Sequence, residues 1–173
     1  MALNISSNIV ASEKGRELVQ HGSALFPIAC YAEDLSSYSV AWHWHEEFEY
    51  VLCTKGPLHV DVNKTRLTLQ TGQGVFINSG VLHAVEQAPE GTALLHSGVF
   101  HPRLVGGMDT IFWQKLIRPM TQSDAPPFSF WMRWCRGRNR CWTVCTRAGK
   151  PCQMSPSTTR TGCATTSLWP CGC

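Results

Sequence analysis

The sequence predicts a mainly β protein, a small antiparallel barrel or two-sheet sandwich with a short helix after the strands and an irregular tail. Three observations carry this expectation. From Tyr38 the residues alternate, with Tyr38, Val40, Trp42 and Trp44 set against Ser39, Ala41, His43 and His45, the period of a strand with two unlike faces. Further apolar runs of strand length follow at 48–53, 58–62, 67–69, 75–77, 81–85 and 93–100. Turn formers punctuate them at even spacing, notably Lys55-Gly56-Pro57, Asn63-Lys64, Thr71-Gly72-Gln73-Gly74 and Pro89-Glu90-Gly91.

Taken in chain order, residues 1–24 are polar and weakly patterned and read as an N-terminal arm. Residues 25–120 form the domain proper, with the barrel over 25–105. Asp109 then has the chemistry of a helix N-cap, Ile111, Phe112, Lys115 and Leu116 follow at helical spacing, and Pro119 is the expected stop. This helix presents few basic groups for phosphate and reads as a packing helix. Residues 121–127 make a linker, and 128–173 are a tail of different character.

Charge and cysteine divide the chain at the same place. All twelve acidic residues lie between Glu13 and Asp124 beside eight Lys or Arg, a net −4, whereas six Arg and one Lys with no acid follow Phe128. Seven of the nine cysteines and four of the seven tryptophans also fall in the tail. The first residues lack the apolar run of a signal peptide, and the longest apolar stretches are too short to span a bilayer. A cytoplasmic, reducing location is expected, where the tail cysteines would not form a disulfide framework.

The candidate chemistry sits in two segments. His43 and His45 share one strand face, Glu49 can join them across a bend, and Gly56 closes the hairpin. In the second segment Gly72 and Gly80 turn the chain on either side of the buried run Val75-Phe76-Ile77, after which His83 enters the same interior. Three imidazoles and a carboxylate would suit a divalent first-row metal. Without one they make a polar floor able to hydrogen-bond the hydroxyl or carboxylate groups of a small ligand. His96 is a fifth candidate lining residue, with a hydrogen-bonded core histidine as its alternative. Glu46 and Glu47 read as a solvated turn, His59 and Asp61 as solvent-facing, Cys30 and Cys53 as small buried residues, and Trp42 and Trp44 as core or dimer-face residues turned away from the histidines.

These residues resemble the two motifs of the cupin barrel. The first, G-x5-H-x-H-x3-4-E-x6-G, is matched from His43 through Gly56, with Ser37 in place of the leading glycine. The second, G-x5-P-x-G-x2-H-x3-N, is matched at Gly72, Gly80 and His83, with Asn78 and Gln87 in place of proline and asparagine. The phrases Trp42-His43-Trp44-His45-Glu46-Glu47-Phe48-Glu49-Tyr50, Phe100-His101-Pro102-Arg103-Leu104 and Ile111-Phe112-Trp113-Gln114-Lys115-Leu116-Ile117-Arg118-Pro119 are similar to the N-terminal domain of AraC-type transcription regulators.

That resemblance covers about residues 20 to 120. It implies a double-stranded β-helix or jelly-roll barrel that binds a sugar or other small effector, forms a homodimer and needs no cofactor, a divalent metal on His43, His45, Glu49 and His83 being the open alternative. In that family a separate helix-turn-helix domain binds DNA. This chain is expected to end before that domain and to lack DNA binding of its own. The rival expectation is a small metal-dependent cupin enzyme, a dioxygenase or isomerase using the same four residues.

The tail suggests a reading-frame change after about Phe128. Every Cys and Trp codon begins with TG, so a frame set back by one base reads only Leu, Val or Met there. Those positions, 131, 134, 135, 141, 142 and 145, fall at the spacing of one helix face. The same shift turns Trp131-Met132 and Trp142-Thr143 into apolar–aspartate pairs, restoring the missing acids. On this reading the tail is out of frame and disordered.

Overall fold

The computed structural model describes residues 9–89, 91–122, 124–134 and 141–145, with the backbone alone from 130 onward. The elements are β1 (Ile28–Asp34), β2 (Val40–His43), β3 (Phe48–Lys55), β4 (Leu58–Val62), β5 (Thr65–Leu69), β6 (Gly74–Ile77), β7 (His83–Gln87), β8 (Leu94–Phe100), β9 (Phe128–Trp134) and β10 (Cys141–Cys145). They form two antiparallel sheets. One has the order β1-β8-β3-β6-β9-β10 and the other β2-β7-β4-β5.

The alternation seen in the sequence builds the space between the sheets. In β4 the residues Leu58, Val60 and Val62 are buried while His59 and Asp61 are not, and in β3 Val51 and Cys53 turn inward. These meet Leu69, Val75, Ile77, Val85, Leu95 and Phe128 in one continuous core. Asn63 takes a left-handed conformation (φ 52°) in the two-residue turn between β4 and β5, which asparagine tolerates well and which matches the strand twist. The outward-facing His59 and Asp61 engage Thr68 and Arg66 across that hairpin.

Several expectations change. Alternation from Tyr38 to His45 is interrupted: Val40 pairs with Val85 and His43 with His83, so that two residues, Ala41 and Trp42, stand against the single Ala84. The extra residue is a β-bulge, and it puts both Val40 and His43 on the interior, faces that strict alternation would oppose. Trp42 is therefore exposed (47 %) and is not a core residue. Trp44 instead seats the N-terminal segment: its backbone N–H donates to Gly15 O, its indole N–H donates to Lys14 O, and the Arg16 guanidinium lies 5.8 Å above its ring.

The helix is capped by Thr110, not Asp109. The Thr110 hydroxyl accepts from Trp113 N–H at 3.1 Å. Pro119 does not stop it either, because a π-helical segment, Trp113–Ile117, with Arg118 N–H reaching Trp113 O five residues back, leads into an α-helical turn, Arg118–Met120, that contains the proline. Ile117 is its buried anchor, while Ile111 (70 %) and Leu116 (50 %) are exposed.

The tail also begins later than its composition suggests. Residues from Phe128 were expected to be irregular, yet Phe128–Trp134 pairs with β6 and then with β10, and the Phe128 side chain is in the core. The segment before it is docked to the barrel by Asn78, whose backbone and side-chain N–H groups donate to Pro127 O and Pro126 O. The rest of the tail, 135–140 and 146–173, lies outside the described residues.

Candidate functional site

His43, His45, Glu49 and His83 converge between the sheets. All four are buried, and one donor atom from each lies within 4.8 Å of the others. Glu49 projects from β3, His43 from the end of β2, His45 from the loop after it, and His83 from the start of β7 directly opposite His43. The His43 and His83 rings are 4.2 Å apart between centroids.

Each ring is aimed by the backbone. Nδ1 of His43 lies 2.8 Å from Ala41 O, Nδ1 of His45 3.2 Å from Glu47 O, and Nδ1 of His83 2.8 Å from Val81 O. A carbonyl can only accept, so each Nδ1 carries the proton and each Nε2 faces the centre. There, Glu49 Oε2 lies 3.0 Å from His83 Nε2 and 3.3 Å from His45 Nε2. A carboxylate oxygen can only accept as well. The contact between Nε2 and Oε2 is therefore favourable only with positive charge between them, a second proton on the ring or a metal ion.

The electrostatics of the metal-free centre follow from this. Burial works against a charged Glu49, but the hydrogen bonds from His45 and His83 outweigh it and hold the carboxyl well below its usual range. Burial likewise opposes a charged His83, and Glu49 reverses that and raises its pKa. His43 is pushed down to about 4, first by burial and then by the neighbouring His83, since two cations that close are mutually unfavourable.

The cavity beside the four residues is small, about 30 Å³, room for about two water molecules. Its apolar wall is Val40, Val51, Val85, Leu95 and Val99. His96 takes no part. It is exposed, because on β8 the inward positions are Leu95, Ser97 and Val99, and it is Ser97 that lines the cavity.

The remaining lining residues come from where the sequence offered little periodicity. Ile9, Glu17 and His21 of the N-terminal segment and Tyr31 and Glu33 of β1 close the cavity. His21 lies 2.9 Å from Glu17 Oε2 through Nε2 and 2.7 Å from the Tyr31 hydroxyl through Nδ1. Glu17 Oε2 faces His43 Nε2 across 3.9 Å. Burial is the largest single influence and opposes charge on both Glu17 and His21, but their mutual hydrogen bond together with the attraction of neighbouring opposite charges outweighs it, lowering the first pKa and raising the second. The inward phase of Ala29, Tyr31 and Glu33 was the signal available for β1, whereas no local pattern marks Glu17 and His21.

The chain has similar counterparts among curated proteins and solved structures. An HTH-type transcriptional regulator of Bacillus subtilis (strain 168), described as uncharacterized and named YdeC, is 34% identical over 84 residues, which are 46% of this chain and 28% of the relative. The chain thus spans well under a third of the curated relative it matches. Among solved structures, the cupin domain of Schizosaccharomyces pombe Cnp3 is 10% identical with a TM-score of 0.43, covering 49% of this chain and 59% of its own. An RmlC-like cupin from Shewanella frigidimarina is 16% identical with a TM-score of 0.39, covering 42% and 65%. Among the described residues no helix is long and apolar enough to cross a membrane. Residues 25–115, more than half of the chain, match the family model of the AraC-like ligand binding domain, and with both histidine segments and strands β1 to β8 inside that span the chain belongs to this family.

Proposed function

We propose that this domain is the effector sensor of an AraC-type transcription regulator, binding a small molecule at the centre formed by His43, His45, Glu49 and His83. The observation that carries the reading is the convergence of these four buried polar side chains, three of which, His43, Glu49 and His83, line one cavity inside a barrel of the ligand-binding family. Their Nε2 and carboxylate atoms can address hydroxyl groups, so sugars and other polyols are the first effectors to try. An effector larger than two waters requires the cavity wall to give, and Ile9, Glu17 and His21 form the part of that wall outside the sheets. A thermal-shift screen of small metabolites tests this, because a ligand that binds the native state alone raises its stability. A hit should lose its shift in Glu49→Ala and His83→Ala. A shift that survives both substitutions places the ligand elsewhere.

A second reading is favoured by the donor set itself. Three backbone-anchored imidazoles with Nε2 inward and one carboxylate suit a divalent ion, and the carbonyls behind each Nδ1 are the outer partners such ligands usually have. An ion there would supply positive charge for an oxygen of the effector, or of a substrate if the barrel served an enzyme. Metal analysis of the purified protein separates the two readings.

The sensor is proposed to act as a homodimer. In support, Leu104, Val105, Met108, Ile111, Phe112 and Leu116 expose apolar side chains along one stretch of chain. Ile111→Glu with Leu116→Glu should convert a dimer to a monomer in sedimentation. DNA recognition belongs to the helix-turn-helix part of such regulators and is not proposed for the described residues.

A further inference from the structure

We infer that Glu17, outside both histidine segments, is the second carboxylate of the centre and positions and charge-balances a divalent ion held by His43, His45, Glu49 and His83; this rests on the metal-holding reading.

The geometry is specific. His43 Nδ1 donates to Ala41 O, so its Nε2 presents a lone pair, and the atom it faces 3.9 Å away is Glu17 Oε2, another acceptor. Their side chains are 4 % and 3 % exposed. Two buried acceptors held face to face are reconciled by a cation between or beside them. Three neutral imidazoles and one carboxylate leave a divalent ion with one uncompensated positive charge, and burying such a charge is costly. Glu17 brings the assembly to neutrality. Among the described residues, no lysine or arginine lines the cavity; the basic partner that Glu17 does have, His21, would be neutral in the loaded centre, donating to it through Nε2 and accepting from the Tyr31 hydroxyl through Nδ1.

Glu17 is also held there by construction. Its backbone N–H donates to Trp44 O at 2.9 Å, and Trp44 N–H donates to Gly15 O at 3.0 Å. Trp44 is the residue between two of the histidines, so the segment carrying Glu17 is in fixed register with them. Gly15 permits this turn with φ 76°, a conformation other residues seldom adopt. The carboxylate is oriented from behind by His21, which is held in turn by the Tyr31 hydroxyl.

The test is calorimetric titration of the full chain with Mn²⁺, followed by the Mn²⁺ paramagnetic resonance spectrum. Manganese suits nitrogen and oxygen donors and leaves the tail thiols aside. Wild type should bind one ion per chain, and Glu17→Gln should weaken it by about 10–100-fold, the usual effect of losing an outer partner. Glu17→Asp should recover part of the loss, with an altered resonance spectrum in both variants. A purely structural role would lower the melting temperature of the metal-free Glu17→Gln protein without changing its affinity, and that result overturns the inference. Should Glu17→Gln not fold, Tyr31→Phe removes only the hydroxyl behind His21 and should weaken Mn²⁺ binding. Unchanged affinity there overturns the inference. Unchanged affinity in Glu17→Gln with binding abolished in His83→Ala defeats the role of Glu17 alone. A wild-type protein that binds no Mn²⁺ defeats the metal-holding reading together with it and leaves effector sensing intact.

Discussion

Glu49→Ala should be among the most damaging single changes in the barrel. Its Oε2 is the common partner of two buried imidazoles, His45 (4 % exposed) and His83 (1 %), at 3.3 and 3.0 Å. Removing one partner of a buried charged pair costs about 3–5 kcal/mol, because the other charge stays buried without compensation. Both contacts share one oxygen, so the loss is a single event of that size and not twice it. Against a domain stability of about 5–15 kcal/mol this is a large fraction. The surface pair Arg16–Glu46 is the control: at 3.0 Å it is shorter than one of the buried contacts, yet with side chains 50 % and 60 % exposed its removal should cost about 0–1 kcal/mol.

The pH dependence has a definite sign. Glu49 has a folded pKa below its ordinary 4.5, so its contribution is complete above that value and fades as pH falls through the folded pKa. His83 has a folded pKa above 6.5, so its contribution is complete below that value and fades as pH rises through the folded pKa. In metal-free protein the gap between wild type and Glu49→Ala should therefore be widest from pH 4.5 to 6.5. Urea unfolding at pH 6 in the presence of a chelator measures it. A cost no larger than that of Glu46→Ala would refute the buried-pair argument.

Three further outcomes are expected. Gly98→Ala would place a Cβ 2.2 Å from Tyr50 Cε1 and should cost about 1–3 kcal/mol in urea unfolding, largely recovered in the double variant with Tyr50→Ala. Phe128→Ala should cost about 3–5 kcal/mol if β9 completes the core, whereas a detached tail would make it nearly silent. The Glu17–His21 pair should add stability that fades at low pH through Glu17 and at high pH through His21, so His21→Leu should flatten the pH profile on the alkaline side of 6.5.

Much of the centre was legible because strand periodicity and motif spacing are both local. His43 and His45 alternate on one strand, and Glu49 and His83 follow at fixed distances set by one hairpin each. Val40 was misplaced because a bulge adds one residue to a strand without any mark in the alternation. His96 was misplaced for a related reason: a run of apolar residues from Ala93 to Phe100 does not reveal its phase, and one residue decides whether His96 or Ser97 faces inward. Glu17 and His21 were hidden because their place depends on a long-range pairing with Trp44 that no local pattern encodes. The tail was judged on composition, which is silent about whether its first residues can complete a neighbouring sheet edge.

The direct pairing of His43 with His83 across β2 and β7 has a further consequence. These two rings come from segments forty residues apart, and a one-residue slip between the strands would turn one of them outward. Assembly of the centre therefore reports that the sheet has closed in its correct register, much as a key turns only when every pin is aligned. Anything that occupies the centre favours the correctly registered barrel over its slipped competitors by its full binding free energy. A cell supplied with that ligand would accumulate more of the properly folded chain, and register-weakening changes around the β2 bulge would be the ones a bound ligand rescues best.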